Sequence, residues 1–216
     1  IGVIIETPYG NVIYPGDFRF ELDENSNPVN IEHYEKLGKE NNLVLFLEST
    51  NAETPGFSIP EKVVYQNLEK IVTEAKNRII IGMFSSHIER VIEIVKVAEK
   101  HDKKVAIDGY SLKASFEIVK ALGYFHPKKD VLIPVEKIDS YLPSKVIAIC
   151  TGSQGEENAS LMRIANKRHK HIRITKDDTV ILSSSVIPGN EKSIQSLKDN
   201  LSRQGAKIIH YGVASV

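Results

Sequence analysis

Between Val146 and Gly155 the chain turns from an unbroken apolar run, ending at Cys150, to Thr151-Gly152-Ser153-Gln154-Gly155. An amphipathic segment with Leu161, Ile164 and Ala165 on one side follows. A strand feeding a glycine-flanked polar loop into a helix is a common phosphate cradle, because backbone N–H groups and the positive helix end both favour an anion. Ser153 adds a hydroxyl and Gln154 an amide, neutral donors that need no buried counter-charge. Ser184 and Ser185, ending a later strand, can close such a pocket from the side. A plain tight turn is the alternative. Asp17 follows a strand end and Gly16, where its two oxygens either bridge two cations about 3.5–4 Å apart or cap the turn. Glu48 ends the apolar run Leu43–Leu47, at the strand end where α/β active sites collect; loop capping is its other use. Phe84 and Ser85 follow the apolar segment Arg78–Met83, and a ring there either stacks on a nucleobase or fills the core.

The elements that must position these residues are readable from periodicity and punctuation. Ile1–Glu6 and Val12–Tyr14 flank Pro8-Tyr9-Gly10-Asn11, a hairpin signature. Asn30 is placed to cap a short helix ending near Gly38, and Leu43–Leu47 suits a buried strand. After Pro55-Gly56-Phe57 the rhythm becomes a strict alternation of strand and helix. Ser58 and Pro60 open a helix to about Lys76, then come strand Arg78–Met83 and a helix capped by Ser86, with Ile88, Val91, Ile92 and Val95 at helical spacing. Strand Lys104–Ile107, helix Ser111–Leu122, strand Val131–Ile133, helical Val135–Leu142, strand Lys145–Cys150 and helix Glu157–Asn166 follow. Strands His171–Ile174 and Thr179–Ser183, a helix from Gly189 to Gln204 and strand Ala206–His210 complete the series. Repeated β-α-β at these lengths predicts an α/β fold, a parallel sheet with helices on both faces.

Composition bounds the partners. Lys+Arg and Asp+Glu balance at 28 each, so no global basic field marks a nucleic-acid partner, although a local basic groove suffices. The one dense basic run is Lys167–Arg173, readable as such a groove or as a solvated helix end. The single cysteine, Cys150, excludes an intrachain disulfide and reads as a buried thiol, which fits a reducing, cytoplasmic setting. No apolar stretch approaches the roughly 20 residues of a membrane span. His33, His87, His101, His126, His169, His171 and His210 show no metal-like spacing and are expected at the surface. The opening Ile1-Gly2-Val3-Ile4-Ile5 has neither an initiator Met nor a basic leader and reads as mid-strand, as in a piece of a longer protein.

Three stretches carry a family resemblance. Val12–Phe20 resembles the strand and loop that deliver the bridging aspartate of metallo-β-lactamase-fold hydrolases. Leu47-Glu48-Ser49-Thr50-Asn51-Ala52-Glu53, followed by Pro55-Gly56, resembles the first acidic motif of the β-CASP nucleases. Thr151–Glu156, with Ser184–Glu191 after it, is similar to the β-CASP domain of ribonuclease J. Two departures are details: Glu48 stands where that family usually has Asp, and Gly109-Tyr110-Ser111 where an arginine commonly follows the glycine. Two are larger, because neither the His-x-His-x-Asp-His cluster nor the family's later histidines occur.

The resemblance implies that residues 1–57 belong to a metallo-β-lactamase domain, 58–213 form the β-CASP domain, and 214–216 begin the return to the first. It implies zinc-dependent phosphodiester hydrolysis in the intact enzyme, 5′-to-3′ exonuclease activity with endonuclease activity often beside it, and homo-oligomeric assembly. Asp17 then bridges two zinc ions whose shared hydroxide attacks the phosphodiester, and Glu48 orients a histidine that assists the leaving oxygen. Phe84 and Ser85 contact single-stranded RNA, and Thr151, Gly152, Ser153, Gln154, Ser184 and Ser185 hold its 5′-monophosphate. With a lone carboxylate of the metal set, this chain by itself is expected to be inactive and to hold no catalytic zinc. The rival readings are a non-catalytic RNA-binding module and an unrelated doubly wound nucleotide-binding domain. The second lacks a Gly-x-Gly-x-x-Gly run.

Overall fold

The structure, a computed structural model, describes all residues except 1, 19, 24–26, 30, 51, 54, 57–58 and 211–213. Two compact units make up the chain, Ile1–Glu61 and Lys62–Val216. The Asn30 cap and the Ser58 helix start lie outside the described residues.

In the first unit, β1 (Val3–Thr7) and β2 (Gly10–Tyr14) form the expected antiparallel hairpin about Pro8-Tyr9, with Thr7 opposite Gly10. The turn is closed by the Thr7 hydroxyl, which donates to the Gly10 carbonyl at 2.6 Å. A small hairpin of β3 (Glu21–Leu22) and β4 (Pro28–Val29) and the helix α1 (Glu32–Leu37) follow. The strand β5 (Asn42–Leu45) then runs parallel to β2 on its other edge. It ends two residues before the expected Leu47, and it is not buried: Leu43, Leu45, Phe46 and Leu47 are each more than half exposed. An apolar strand is buried only where a second layer covers it, and none among the described residues of this unit does so.

The second unit holds the parallel sheet. Its elements are α2 (Glu61–Glu74, whose first residue belongs to the first unit), β6 (Ile79–Met83), α3 (Ile88–Lys100), β7 (Lys104–Asp108) and α4 (Tyr110–Ala121). After 3-10 turns at Val135–Ser140 and Pro143–Lys145 come β8 (Val146–Thr151), α5 (Ser160–Ala165), β9 (Thr179–Leu182), α6 (Glu191–Ser202) and β10 (Lys207–His210). The strand order is β10-β9-β6-β8-β7, every pair parallel, with Ile81 flanked by Ile149 and Ile181. Side chains alternate across the sheet. Ile80, Ala106, Ala148, Cys150, Val180 and Leu182 face a core with Leu161 and Ile164 of α5 and Ile194, Leu197 and Leu201 of α6. Their neighbours Ile79, Ile81, Ile107, Ile147 and Ile149 point to the opposite face, buried like Val91, Ile94 and Val95 of α3 and Leu112 and Phe116 of α4, two helices that pack along β7. The α/β reading with helices on both faces therefore holds.

Several boundaries differ from the expectation, each for a local reason. Val131–Ile133 is no strand: Leu132 makes one parallel bridge to Val105, and Pro134, which lacks an N–H, ends the pairing. His171–Ile174 is irregular, yet Ile172 is fully buried. The cap of α3 is His87 rather than Ser86, with no side-chain cap bond. Finally, α5 begins at Ser160, not Glu157, because residues 156–159 make a turn in which the Ala159 N–H donates to the Glu156 carbonyl at 3.0 Å.

Candidate functional site

The chain leaves β6 toward β7 on one side and leaves the adjacent β8 toward β9 on the other. Such a reversal opens a crevice beyond the carboxyl ends of the two strands, the usual ligand position in open parallel sheets. Phe84 and Ser85 follow β6, Asp108 ends β7, Thr151 ends β8 with Gly152–Gly155 after it, and Ser183–Ser185 follows β9. The topology thus brings the candidate residues of this unit to one edge.

Within the loop after β8, Gly152 has φ +109, and a Cβ there would meet the Ala159 Cβ at 2.6 Å, so only glycine fits. Ser153 is 2% exposed, and its Oγ is buried without a hydrogen-bond partner among the described residues. A buried hydroxyl without a partner costs roughly 1–3 kcal/mol, so Ser153 carries hydrogen-bonding capacity that the described residues leave unused. Gln154 is different. Its Nε2 donates to Ser184 Oγ at 3.0 Å and to the Ser185 carbonyl at 2.8 Å. Its Oε1 accepts from the Ile187 N–H at 2.9 Å and Asn190 Nδ2 at 3.4 Å. Both amide hydrogens are therefore committed, and Gln154 holds the loop after β9 instead of offering the expected donor to phosphate. The Gln154 N–H donates to Glu156 Oε2 at 3.1 Å and the Gly155 N–H to the Gly152 carbonyl at 3.2 Å. With α5 starting at Ser160 and only six residues long, the helix end contributes nothing to an anion argument. Thr151 and Ser184 are half-buried and Ser185 is exposed, Phe84 and Ser85 are half-buried, and the Phe84 ring packs edge-to-face on His87 with centroids 5.2 Å apart.

Three residues at this edge escaped the sequence reading. Arg90 of α3 donates through Nη1 to the Ser183 carbonyl at 3.0 Å and to Ser183 Oγ at 3.1 Å, fixing the end of β9. Its signal was a charged residue four before Ile94, on the apolar helix face. Asp108, 7% exposed, accepts at Oδ2 from Ser160 Oγ and from His169 Nε2 at 2.9 Å. Burial pushes its carboxyl up, but the hydrogen bonds from His169 and Ser160, with the Lys113 charge, outweigh that and hold it well below the usual carboxylate range. An aspartate ending an apolar strand was the signal. His169, expected at the surface, is 3% exposed. Its Nδ1 accepts the N–H groups of His171 at 3.2 Å and Ile172 at 2.9 Å, which explains why the segment after α5 is ordered without being a strand. Cys150 is fully buried and burial pushes its thiol up, as suits an unreactive core residue.

In the first unit Asp17 and Glu48 each follow, by three residues, the carboxyl ends of the parallel neighbours β2 and β5. Asp17 is exposed beside Gly16, whose φ is +72. Glu48 is half-buried and accepts the Thr50 N–H at 2.8 Å, a bond that holds its carboxyl below the usual range. No group of three or more metal-ligating side chains occurs among the described residues. A structural or catalytic zinc takes at least three protein ligands, so the residues present do not by themselves fit a zinc centre. Among the described residues no helix is long and apolar enough to cross a membrane.

The family profile described as "Ribonuclease J, beta-CASP domain" matches residues 76–201, the body of the parallel sheet and its helices. Ribonuclease J of Mycoplasma pneumoniae is 36% identical over 207 residues, which cover 96% of this chain and 36% of that protein. Ribonuclease J 1 of Streptococcus pyogenes serotype M3 is 38% identical over 216 residues, 100% of this chain and 39% of the relative. Ribonuclease J 2 of Staphylococcus aureus is 34% identical over 210 residues, 97% and 38% respectively. The chain thus spans between 36% and 39% of the length of these relatives. With a matching profile over more than half its length and relatives aligned along nearly all of it, this chain belongs to the ribonuclease J family.

Proposed function

We propose that this chain is the RNA 5′-end-binding part of a ribonuclease that processes and degrades RNA. Residues 58–213 act as the β-CASP domain, 1–57 as an edge of a metallo-β-lactamase domain, and 214–216 as the return to it. Single-stranded RNA lies along the carboxyl edge of the parallel sheet with a base against Phe84 beside Ser85. Its 5′-monophosphate sits at Thr151-Gly152-Ser153, with Ser184 and Ser185 beside it. Gln154 fixes these serines in place. The exposed apolar residues of β5 and of the segment after it are covered in the intact enzyme by the rest of the first domain. Zinc dependence, 5′-to-3′ exonuclease activity with endonuclease activity beside it, homo-oligomeric assembly and a cytoplasmic setting belong to that intact enzyme. Asp17 supplies one carboxylate to its metal set and Glu48 a second acidic group at the same strand ends.

The observation that carries this reading is the buried hydroxyl of Ser153, which has no partner among the described residues. A hydrogen bond to a charged group contributes about 1.5–3 kcal/mol, roughly ten- to a hundredfold in affinity for the phosphorylated end. Ser153→Ala in the full-length enzyme, assayed on matched RNAs with 5′-monophosphate or 5′-hydroxyl ends, should bring the ratio of the two exonuclease rates toward one while internal cleavage survives. An unchanged preference for the monophosphate would reduce the loop to a turn.

A further inference from the structure

The loop expected to bind phosphate is bracketed by one strand end. On its near side Gly109, directly after β7, lies so close to Thr151 that a Cβ at 109 would stand 2.6 Å from Thr151 Oγ1. On its far side Ser160, the first residue of α5 and 1% exposed, donates its hydroxyl to Asp108. Residues 152–159 therefore span between two attachments to the consecutive pair Asp108-Gly109. The same carboxylate takes the His169 Nε2–H at 2.9 Å. Because His169 Nδ1 already accepts two backbone N–H groups, Nε2 is the nitrogen that donates to Asp108. Through this ring Asp108 also reaches the basic run after α5. Half-exposed Lys113 and Arg163 approach the carboxylate at 3.5 and 3.8 Å, so its charge is balanced where an anion is to bind.

A serine and a histidine sharing one carboxylate are not a nucleophilic constellation. The histidine of such a set must lie between the other two to take the serine proton; here the aspartate does, and Ser160 and His169 are both donors to it. Nor does the cluster need substrate to be satisfied.

We propose that Asp108, with Ser160 and His169, is a positioning residue for 5′-end recognition: it sets the span of the Thr151–Ser160 loop and so the place of the Ser153 hydroxyl. The inference rests on the 5′-phosphate reading of that loop. Asp108 contacts no substrate atom, and its loss acts on KM for the phosphorylated end rather than on turnover.

The test uses the full-length enzyme and the same pair of RNAs. Asp108→Ala should lower the monophosphate-to-hydroxyl ratio of kcat/KM about tenfold or more, entirely through KM, with kcat and 5′-hydroxyl cleavage within about twofold. Asp108→Asn keeps an oxygen that accepts from both Ser160 and His169, and should restore most of the ratio. Ser160→Ala removes one bond and leaves the His169 bond to Asp108 in place; it should lower the ratio three- to tenfold with a melting-temperature loss of several degrees at most, so the outcome does not depend on Asp108→Ala folding. An unchanged ratio in Ser160→Ala, or a fall in kcat with KM intact, overturns the proposal. Ser153→Ala measured alongside separates the two readings. If it collapses the ratio while the Ser160 and Asp108 variants do not, only the positioning role is wrong; if it too has no effect, the phosphate reading itself fails.

Discussion

Gln154→Ala is the sharpest perturbation of the edge, because one side chain there holds four partners. The truncation removes two donors and one acceptor oxygen from a residue 3% exposed, and frees Ser184 Oγ, the Ser185 carbonyl, the Ile187 N–H and Asn190 Nδ2. Net hydrogen bonds contribute about 0.5–1.5 kcal/mol each. The 3.4 Å contact to Asn190 is the weakest, and the loop containing Ser185 and Ile187 is exposed, so water replaces part of what is lost. The sum falls to roughly 2 kcal/mol, which lowers the melting temperature of a chain of this size by about 4–8 °C. Hydrogen exchange localises the effect. The Ile187 amide should exchange at least about tenfold faster, as about 1.4 kcal/mol of lost protection requires, while the amides of β6 and β8 keep theirs. Equal protection of Ile187 in both proteins, or a uniform loss across the sheet, would refute the claim that Gln154 fixes this loop.

Gly109→Ala forces a side chain onto a backbone at φ +115 and into Thr151, and should cost about 2–4 kcal/mol by urea unfolding. Adding Thr151→Ala removes Oγ1 and Cγ2 from the clash, so the double variant should regain the steric share and keep the backbone strain. Phe84→Ala should weaken short single-stranded RNA by about 1–3 kcal/mol in fluorescence anisotropy with little change in melting temperature; a loss of about 10 °C would return the ring to the core. For Asp108 the folded carboxyl lies below its unfolded value, so its contribution to stability is complete above the ordinary carboxylate pKa of about 4 and is lost as pH falls below it. The stability gap between the native chain and Asp108→Asn should therefore be constant from pH 7 to 5 and close on further acidification; a gap that widens in acid contradicts the ion-pairing geometry.

Much of this molecule was legible before folding. The hairpin at Pro8–Asn11, the helix after β7, the continuous apolar strands of a sheet buried on both faces, and the glycine-flanked loop after β8 follow from local rules of turn chemistry and side-chain period. These act over a few residues and need no knowledge of what packs where. The errors fell where tertiary contacts override a local pattern. Leu43–Leu47 has the composition of a buried strand, but burial is a property of the covering layer, not of the strand. Val131–Ile133 has strand composition but meets its partner at one residue before Pro134.

What the sequence by itself determined was the α/β class, the β-CASP resemblance and the polar loop as a place to look. The tertiary structure alone decided what each polar group there does. Gln154 is spent on residues 30 to 36 positions away, and Asp108 meets Ser160 and His169 across 52 and 61 positions. Ser153, chemically the plainest of the set, is left with a buried hydroxyl and no partner among the described residues. Hydrogen-bond capacity is finite and is shared out among whatever groups the strand order brings together. A residue's type gives its capacity; only the fold tells whether any of it remains for a ligand.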